Sequence, residues 1–265
     1  EIAEALKHPP ELAKDWFNHG YYGTYNHNSK AVYQFYLGWY DGNPANLNAY
    51  PPVERAKRMM VAMGGAKKAF AAAKKAFDAG DYRWSSDLLS QIVFADPANQ
   101  AARLLLADSL EQQGYQAESA IWRNQFLSGA KELRQGVNVR PSSSQNADMI
   151  AAVPTQELLD SVSTRFDPVK LGGKTMGINI VMPERQETAG IEITHTTMIG
   201  RMKPIAEPTV TITGPRRALL GLLFLKMPLG QLEMMGVKVE GDRAAAEAWL
   251  NAIEPIPGGF KIVEP

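Results

Sequence analysis

Gln135-Gly136-Val137-Asn138-Val139-Arg140-Pro141-Ser142-Ser143-Ser144-Gln145-Asn146 is the stretch on which the reading of the fold turns. Apolar periodicity is lost across it, and its glycine, proline and three successive serines mark a connection between domains. A chain of 265 residues has room for such a boundary. A single hydrophobic core rarely grows past roughly 250 residues, and the common domain holds about 100 to 150.

Working back from this stretch, residues from Val53 to about 134 read as helices almost without interruption. Compositional turns at Asp41-Gly42-Asn43-Pro44 and Asn48-Ala49-Tyr50-Pro51-Pro52 precede them. Gly80-Asp81-Tyr82 opens a helix that Asp96-Pro97 ends, and Gly114-Tyr115-Gln116 repeats that punctuation 34 residues further on. With Ala69, Ala72, Ala73 and Ala76 as small contact residues, this spacing is tetratricopeptide-like. One and a half repeats make no superhelical array, so a plain pair of antiparallel helical hairpins satisfies the same pattern.

Working forward, a helix from Pro154 to Arg165 is followed by three alternating, β-branched runs. They are Met176–Met182, Gly190–Thr196 and Thr209–Thr213, expected to be strands of one antiparallel sheet. Helices return at Pro215–Leu225, Met227–Met235 and Ala244–Asn251. The expected fold is therefore multidomain: an all-α unit over 1–138, a linker over 139–150, and an α+β unit over 151–265.

The densest chemistry lies near the start, in His19-Gly20-Tyr21-Tyr22-Gly23-Thr24-Tyr25-Asn26-His27-Asn28, which holds two of the four histidines. Before it, Ile2, Ala3 and Leu6 share one short helical face that Pro9-Pro10 interrupts, and Leu12, Ala13, Trp16 and Phe17 share a second. After it, Val32, Phe35, Tyr36 and Trp39 form a stripe at helical spacing, so Phe35, Tyr36 and Trp39 are expected in a core. That stripe puts His27-Asn28-Ser29 at or just before a helix N-terminus, where unpaired N–H groups favour a sulfate or phosphate. Tyr33, six residues after His27, is expected near the same place.

Bulk composition excludes several classes. Lys+Arg and Asp+Glu both number 28, so no basic field invites nucleic acid or an anionic membrane. Without cysteine there is neither a disulfide framework nor a thiolate metal site. The longest apolar run, Ala218–Leu225, is far short of the roughly 20 residues that span a bilayer. His8, His19, His27 and His195 lack ligand spacing, so no metal is expected on this chain. Glu1-Ile2-Ala3-Glu4 shows neither the basic nor the apolar part of a signal peptide.

Several motifs together carry a resemblance: His19 to Tyr33 with Tyr36-Leu-Gly-Trp-Tyr-Asp-Gly-Asn-Pro-Ala, then Gly80-Asp-Tyr-Arg-Trp, Val93-Phe-Ala-Asp-Pro, Gly114-Tyr-Gln-Ala-Glu-Ser and Trp122-Arg-Asn. They resemble the dimerisation domain of the metallo-β-lactamase-fold alkylsulfatases, which cleave dodecyl sulfate and related esters. Gly236-Val-Lys-Val-Glu-Gly-Asp and Phe260-Lys-Ile-Val-Glu-Pro resemble that family's sterol-carrier-protein-like C-terminal domain. The resemblance spans essentially the whole chain and is strongest over 20–134.

The resemblance implies a zinc-dependent sulfuric ester hydrolase. Its two zinc ions would sit in an N-terminal metallo-β-lactamase domain with a His-x-His-x-Asp-His motif, which this chain lacks. It implies a homodimer, alkyl sulfate as substrate, and a periplasmic or secreted setting. His27 is implied to protonate the leaving alkoxide, or to hold sulfate if the carbon–oxygen bond breaks. Asn28, Thr24 and the tyrosines Tyr22 and Tyr33 are implied to contact sulfate. His19 stands where the family commonly has arginine. Met227, Met234 and Met235 are expected to line an apolar tunnel or to belong to an ordinary core. The alternative is a non-catalytic helical adaptor carrying a lipid-carrier-like domain.

Overall fold

A computed structural model describes residues 2–137, 147–255 and 259–265. They fall into two compact units, Glu1–Val139 with Gly259–Pro265, and Arg140–Gly258. Most of the expected linker, 139–146, lies outside the described residues; Ala147 already opens a helix.

The first unit is helical. It begins with α1 (Ile2–Ala5), two 3₁₀ turns at Leu12–Lys14 and Trp16–Asn18, α2 (Tyr25–Leu37) and α3 (Pro44–Leu47). A packed series follows: α4 (Pro52–Ala62), α5 (Ala66–Asp78), α6 (Tyr82–Ala95), α7 (Gln100–Gln116) and α8 (Ala120–Gln135). Each of α6, α7 and α8 starts where a side chain accepts an orphan amide: Asp81 from Trp84, Asn99 from Ala102, Ser119 from Trp122. Leu88, Leu89, Ile92, Val93, Leu106 and Leu133 close the core, with Ala69, Ala73, Ala102 and Ala130 at the tight contacts.

The spaced glycines are not equivalent. Gly80 sits in a loop at φ +80°, whereas Gly114 lies inside α7, where a side chain would strike Leu127. The 34-residue punctuation thus joins a loop to a helix interior, and the helices pack α5 on α6, α6 on α7 and α7 on α8, with α4 also lying on α6.

The chain's last residues belong to this unit. Glu132 on α8 is buried and accepts the amides of Ile262 (2.9 Å) and Val263 (3.1 Å), while Arg103 pairs with Glu264. Val263 packs on the helical core, and Gly129 permits it, because a Cβ there would lie 2.9 Å from the Val263 side chain.

The second unit opens with α9 (Ala147–Ala152), α10 (Thr155–Ser163) and α11 (Pro168–Leu171). Its strands are β1 (Met176–Met182), β2 (Glu187–Thr194), β3 (Thr197–Arg201) and β4 (Val210–Thr213). Then come α12 (Arg216–Leu225), α13 (Leu229–Glu233), β5 (Lys238–Gly241) and α14 (Arg243–Asn251). The five-stranded sheet has the order β3-β2-β1-β4-β5. Ile178, Ile180, Ile191 and Ile212 face Leu219, Leu222, Leu232 and Trp249 in one core.

Two expectations are corrected here. The sheet is mixed, because β4 runs parallel to β1, with Ile178 opposite Val210. The segment after β3 crosses back over the sheet and is pinned by Asn179, whose amide group exchanges two hydrogen bonds with the Ile205 backbone (2.8 and 2.9 Å). The run through Thr196 is also no single strand. His195 turns at φ +52°, exposed at the tip of the β2–β3 hairpin.

Met234 and Met235 are 83% and 39% exposed and line no interior, while Met227 is half-buried against the core. Among the described residues the space bordered by Leu158, Ile180, Arg216 and Leu219 is about 20 Å³, room for about one water and not for an alkyl chain.

Candidate functional site

The polar-aromatic turn is moored to the start of α8. Ala120 donates its N–H to the Tyr21 carbonyl (2.7 Å), and the Ser119 hydroxyl donates to the Tyr22 carbonyl (2.5 Å). Beside them His19 bridges Glu118 Oε1 (Nδ1, 2.7 Å) and the Ala13 carbonyl (Nε2, 3.1 Å). Both partners are acceptors, an arrangement that only the doubly protonated ring satisfies in full. The hydrogen bond to Glu118, then that to Ala13, holds the pKa of His19 above the ordinary histidine value.

The helix begins earlier than the sequence pattern suggests. Thr24 is the N-cap of α2 and its hydroxyl accepts the His27 amide (3.0 Å), so His27 occupies the third helical position. The first two amides of α2 are left without intrahelical acceptors at the positive end of its dipole. Asn28 lies against Gly23, where a Cβ would stand a tight 3.2 Å from its Nδ2.

His27 is exposed, and its Nδ1 accepts the indole N–H of Trp122 at 2.9 Å. The two rings meet edge-on with centroids 6.2 Å apart. They border an open hollow of about 650 Å³, whose other walls are Leu110, Phe126 and the carboxyl-terminal Ile262 and Val263 together with the polar Asn124, Gln125 and Ser128. A mainly apolar hollow with an imidazole and a few other polar groups on its wall is an arrangement suited to an amphiphile.

The structure therefore brings Thr24, His27 and Asn28 together on one helical turn. Tyr22, 77% exposed, lies two residues before the cap, its carbonyl held by Ser119. Tyr33 lies elsewhere: six residues on is about 240° around the helix. It borders a separate hollow with Ile2, Lys30 and Gln34. His8 is half-buried beside Tyr25 (3.2 Å to its hydroxyl). Among the described residues no three of His, Asp and Glu gather as a metal site.

One expectation fails. Phe35, Tyr36 and Trp39 are 83%, 77% and 73% exposed, not core. Helix α2 packs chiefly on the single-turn α1, and among the described residues nothing covers its aromatic face. Arg123 donates to the Ala117 carbonyl (2.7 Å) at the end of α7. Glu118, Ser119 and Trp122 are the contributors that sequence reasoning passed over. Their only trace is the motif run from Gly114 to Asn124, because periodicity cannot show which loop meets which.

With this geometry in place, comparison with known proteins is decisive. Residues 1–136 match the alkyl sulfatase dimerisation family and residues 143–265 the alkyl sulfatase C-terminal family. The chain belongs to the alkyl sulfatases. It is 41% identical over its whole length to an alkyl/aryl-sulfatase of Saccharomyces cerevisiae, covering 41% of that protein. It is 39% identical over 99% of its length to an (R)-specific secondary-alkylsulfatase of a Pseudomonas species, covering 40% of it.

Among solved structures, the stereoselective inverting sec-alkylsulfatase Pisa1 from Pseudomonas superposes with a TM-score of 0.90 at 37% identity. All of this chain is covered, and 42% of that one. The chain thus spans about two fifths of the length of these relatives, and its helical region followed by a mixed α/β region is the architecture of the matching alkylsulfatase portion.

Proposed function

We propose that this chain is the carboxyl-terminal portion of an alkylsulfatase that hydrolyses medium-chain alkyl sulfates such as dodecyl sulfate to alcohol and sulfate. The metal chemistry belongs elsewhere in this reading, in a metallo-β-lactamase domain holding two zinc ions. Among the described residues no three of His, Asp and Glu gather around a common point, and His8, His19 and His27 are each engaged with a different partner, so these residues do not fit a zinc site and no step of the reaction is routed through them as ligands. The periplasmic or secreted setting is part of the same reading and rests on the resemblance alone.

The observation that carries the proposal is His27, exposed beside an apolar hollow, with Thr24 and Asn28 on its own helical turn. Inversion, as named for Pisa1, means that the nucleophile attacks carbon and the carbon–oxygen bond breaks with its electron pair staying on sulfate. We extend that course to this chain. Water oxygen bonds to carbon, one proton is released, and sulfate departs as a stable anion that needs hydrogen-bond donors around its oxygens. His27, Asn28 and the open amides of α2 are such donors, and the Thr24 hydroxyl still has its hydrogen to give.

The bare aromatic strip from Val32 through Trp39 to Tyr50 is proposed as the homodimer surface. The catalytic test joins the chain to its metal domain and follows dodecyl sulfate hydrolysis. His27→Ala is expected to lower turnover by roughly 10²-fold with folding unchanged. Turnover equal to wild type would leave the non-catalytic adaptor as the better reading.

A further inference from the structure

Which hydrogen-bonding face His27 shows to its surroundings is decided by a residue on another helix. An indole N–H can only donate. With Trp122 Nε1 2.9 Å from His27 Nδ1, that nitrogen must present its lone pair, and the hydrogen of the ring resides on Nε2. A doubly protonated ring would set two N–H groups head to head at that distance. His19, eight residues earlier, is the opposite case, since both its nitrogens meet acceptors. One short segment therefore sets two histidines against opposite kinds of partner, acceptors at His19 and a donor at His27.

Trp122 is itself well held. It lies in the first turn of α8, its backbone N–H reaches the Ser119 cap (3.4 Å), its ring takes the edge of Phe126 (6.3 Å between centroids), and Lys30 Nζ lies 5.8 Å from its centroid. Through Ser119 and Ala120 the same helix end grips the turn that precedes α2. The indole and the imidazole are thus carried on two elements locked to each other by backbone bonds.

We infer that Trp122 is a positioning residue that keeps His27 in its Nε2–H tautomer, so that His27 serves the reaction as a neutral hydrogen-bond donor to a sulfate oxygen and not as an acid that gives up a proton. This rests on the proposed catalytic role of His27 and deepens it. A departing sulfate needs its charge stabilised more than it needs a proton, and a fixed neutral donor does that without changing charge.

The tautomer is read in this chain by selective ¹⁵N-histidine labelling and two-bond ¹H–¹⁵N correlations at about pH 8, above the ordinary histidine range. His27 is expected as the Nε2–H form, and Trp122→Phe, which keeps a ring and loses the N–H, is expected to give a tautomer mixture. An Nδ1–H or doubly protonated His27, or a tautomer unmoved by Trp122→Phe, overturns the inference.

A second arm uses the enzyme with its metal domain and does not depend on Trp122→Phe folding. His27→Gln places an amide N–H close to the position of Nε2 but has no proton to give. It is expected to stay within about tenfold of wild type, while His27→Ala falls by roughly 10²-fold. A His27→Gln enzyme as slow as His27→Ala sinks the neutral-donor assignment. Turnover indifferent to both variants sinks the catalytic role itself, and the spectroscopic result still reports on Trp122.

Discussion

Residues 2–50 and residues 52–135 belong to the same helical unit and treat their apolar side chains in opposite ways. Between Pro52 and Gln135, Leu89, Ile92, Val93 and Leu106 are at most 2% exposed. Between Ile2 and Tyr50 no described residue is buried, and Trp16, Phe35, Tyr36 and Trp39 each expose at least 73%. Burying a large apolar side chain is worth about 1.5–3 kcal/mol, so the second stretch closes a core of its own while the first leaves that energy unrealised. A partner surface is the physical complement of the first stretch. The candidate site lies where the two meet, with His27 on the open side and Trp122 on the closed one.

The sharpest way to break this contrast is to charge one side. The double variant Phe35→Asp/Tyr36→Asp is expected to dissociate the dimer, raising its dissociation constant by roughly 10³-fold or more, as for loss of two interface anchors of about 2 kcal/mol each. Helical content should stay unchanged, and sedimentation velocity with circular dichroism reads both. The matching change on the closed side, Leu89→Ala, should cost about 2–5 kcal/mol of unfolding stability and leave association alone. A monomer produced by Leu89→Ala, or an unfolded Phe35→Asp/Tyr36→Asp, would erase the distinction.

A smaller effect tests the carboxyl-terminal segment that walls the hollow. Glu132→Leu strips the amides of Ile262 and Val263 of their acceptor, and chemical denaturation should show a loss of about 1–3 kcal/mol. No loss would mean that the terminal segment rides on the helices without helping to hold them.

The smallest effect concerns the clamp at His19. Its folded pKa is raised, so its stabilisation is complete below the ordinary histidine value and is lost as pH rises through the higher folded one. His19→Gln should therefore be less stable than wild type at about pH 5.5, with the gap narrowing by about pH 8.5. A gap that widens with pH would assign His19 the wrong charge.

Much of the fold was readable because it is local. The helix start at Asp81, alternation in Met176–Met182 and small residues at Ala69 and Ala73 each report on neighbours a few positions away. The parallel pairing of β1 with β4 was not readable, since it depends on a crossing segment that Asn179 holds from a distance. The aromatic stripe shows the related failure. Helical spacing announced an apolar face on α2 but could not say whether this chain or another molecule covers it.

The candidate site divides along the same line. Spacing placed His27 and Asn28 near a helix N-terminus, the structure put Thr24 at its cap, and the motifs around them carried the family. That Tyr33 faces a different hollow, that Glu118 raises the pKa of His19, and that the Trp122 indole donates to His27 follow from contacts between residues 95 and 99 positions apart in the two histidine cases. Sequence by itself determined the helices, the strands and the identity of the reactive groups, because these depend on backbone preference and side-chain chemistry. Only the tertiary structure decided their protonation and direction, because a hydrogen bond is set by the partner that folding brings within three ångströms.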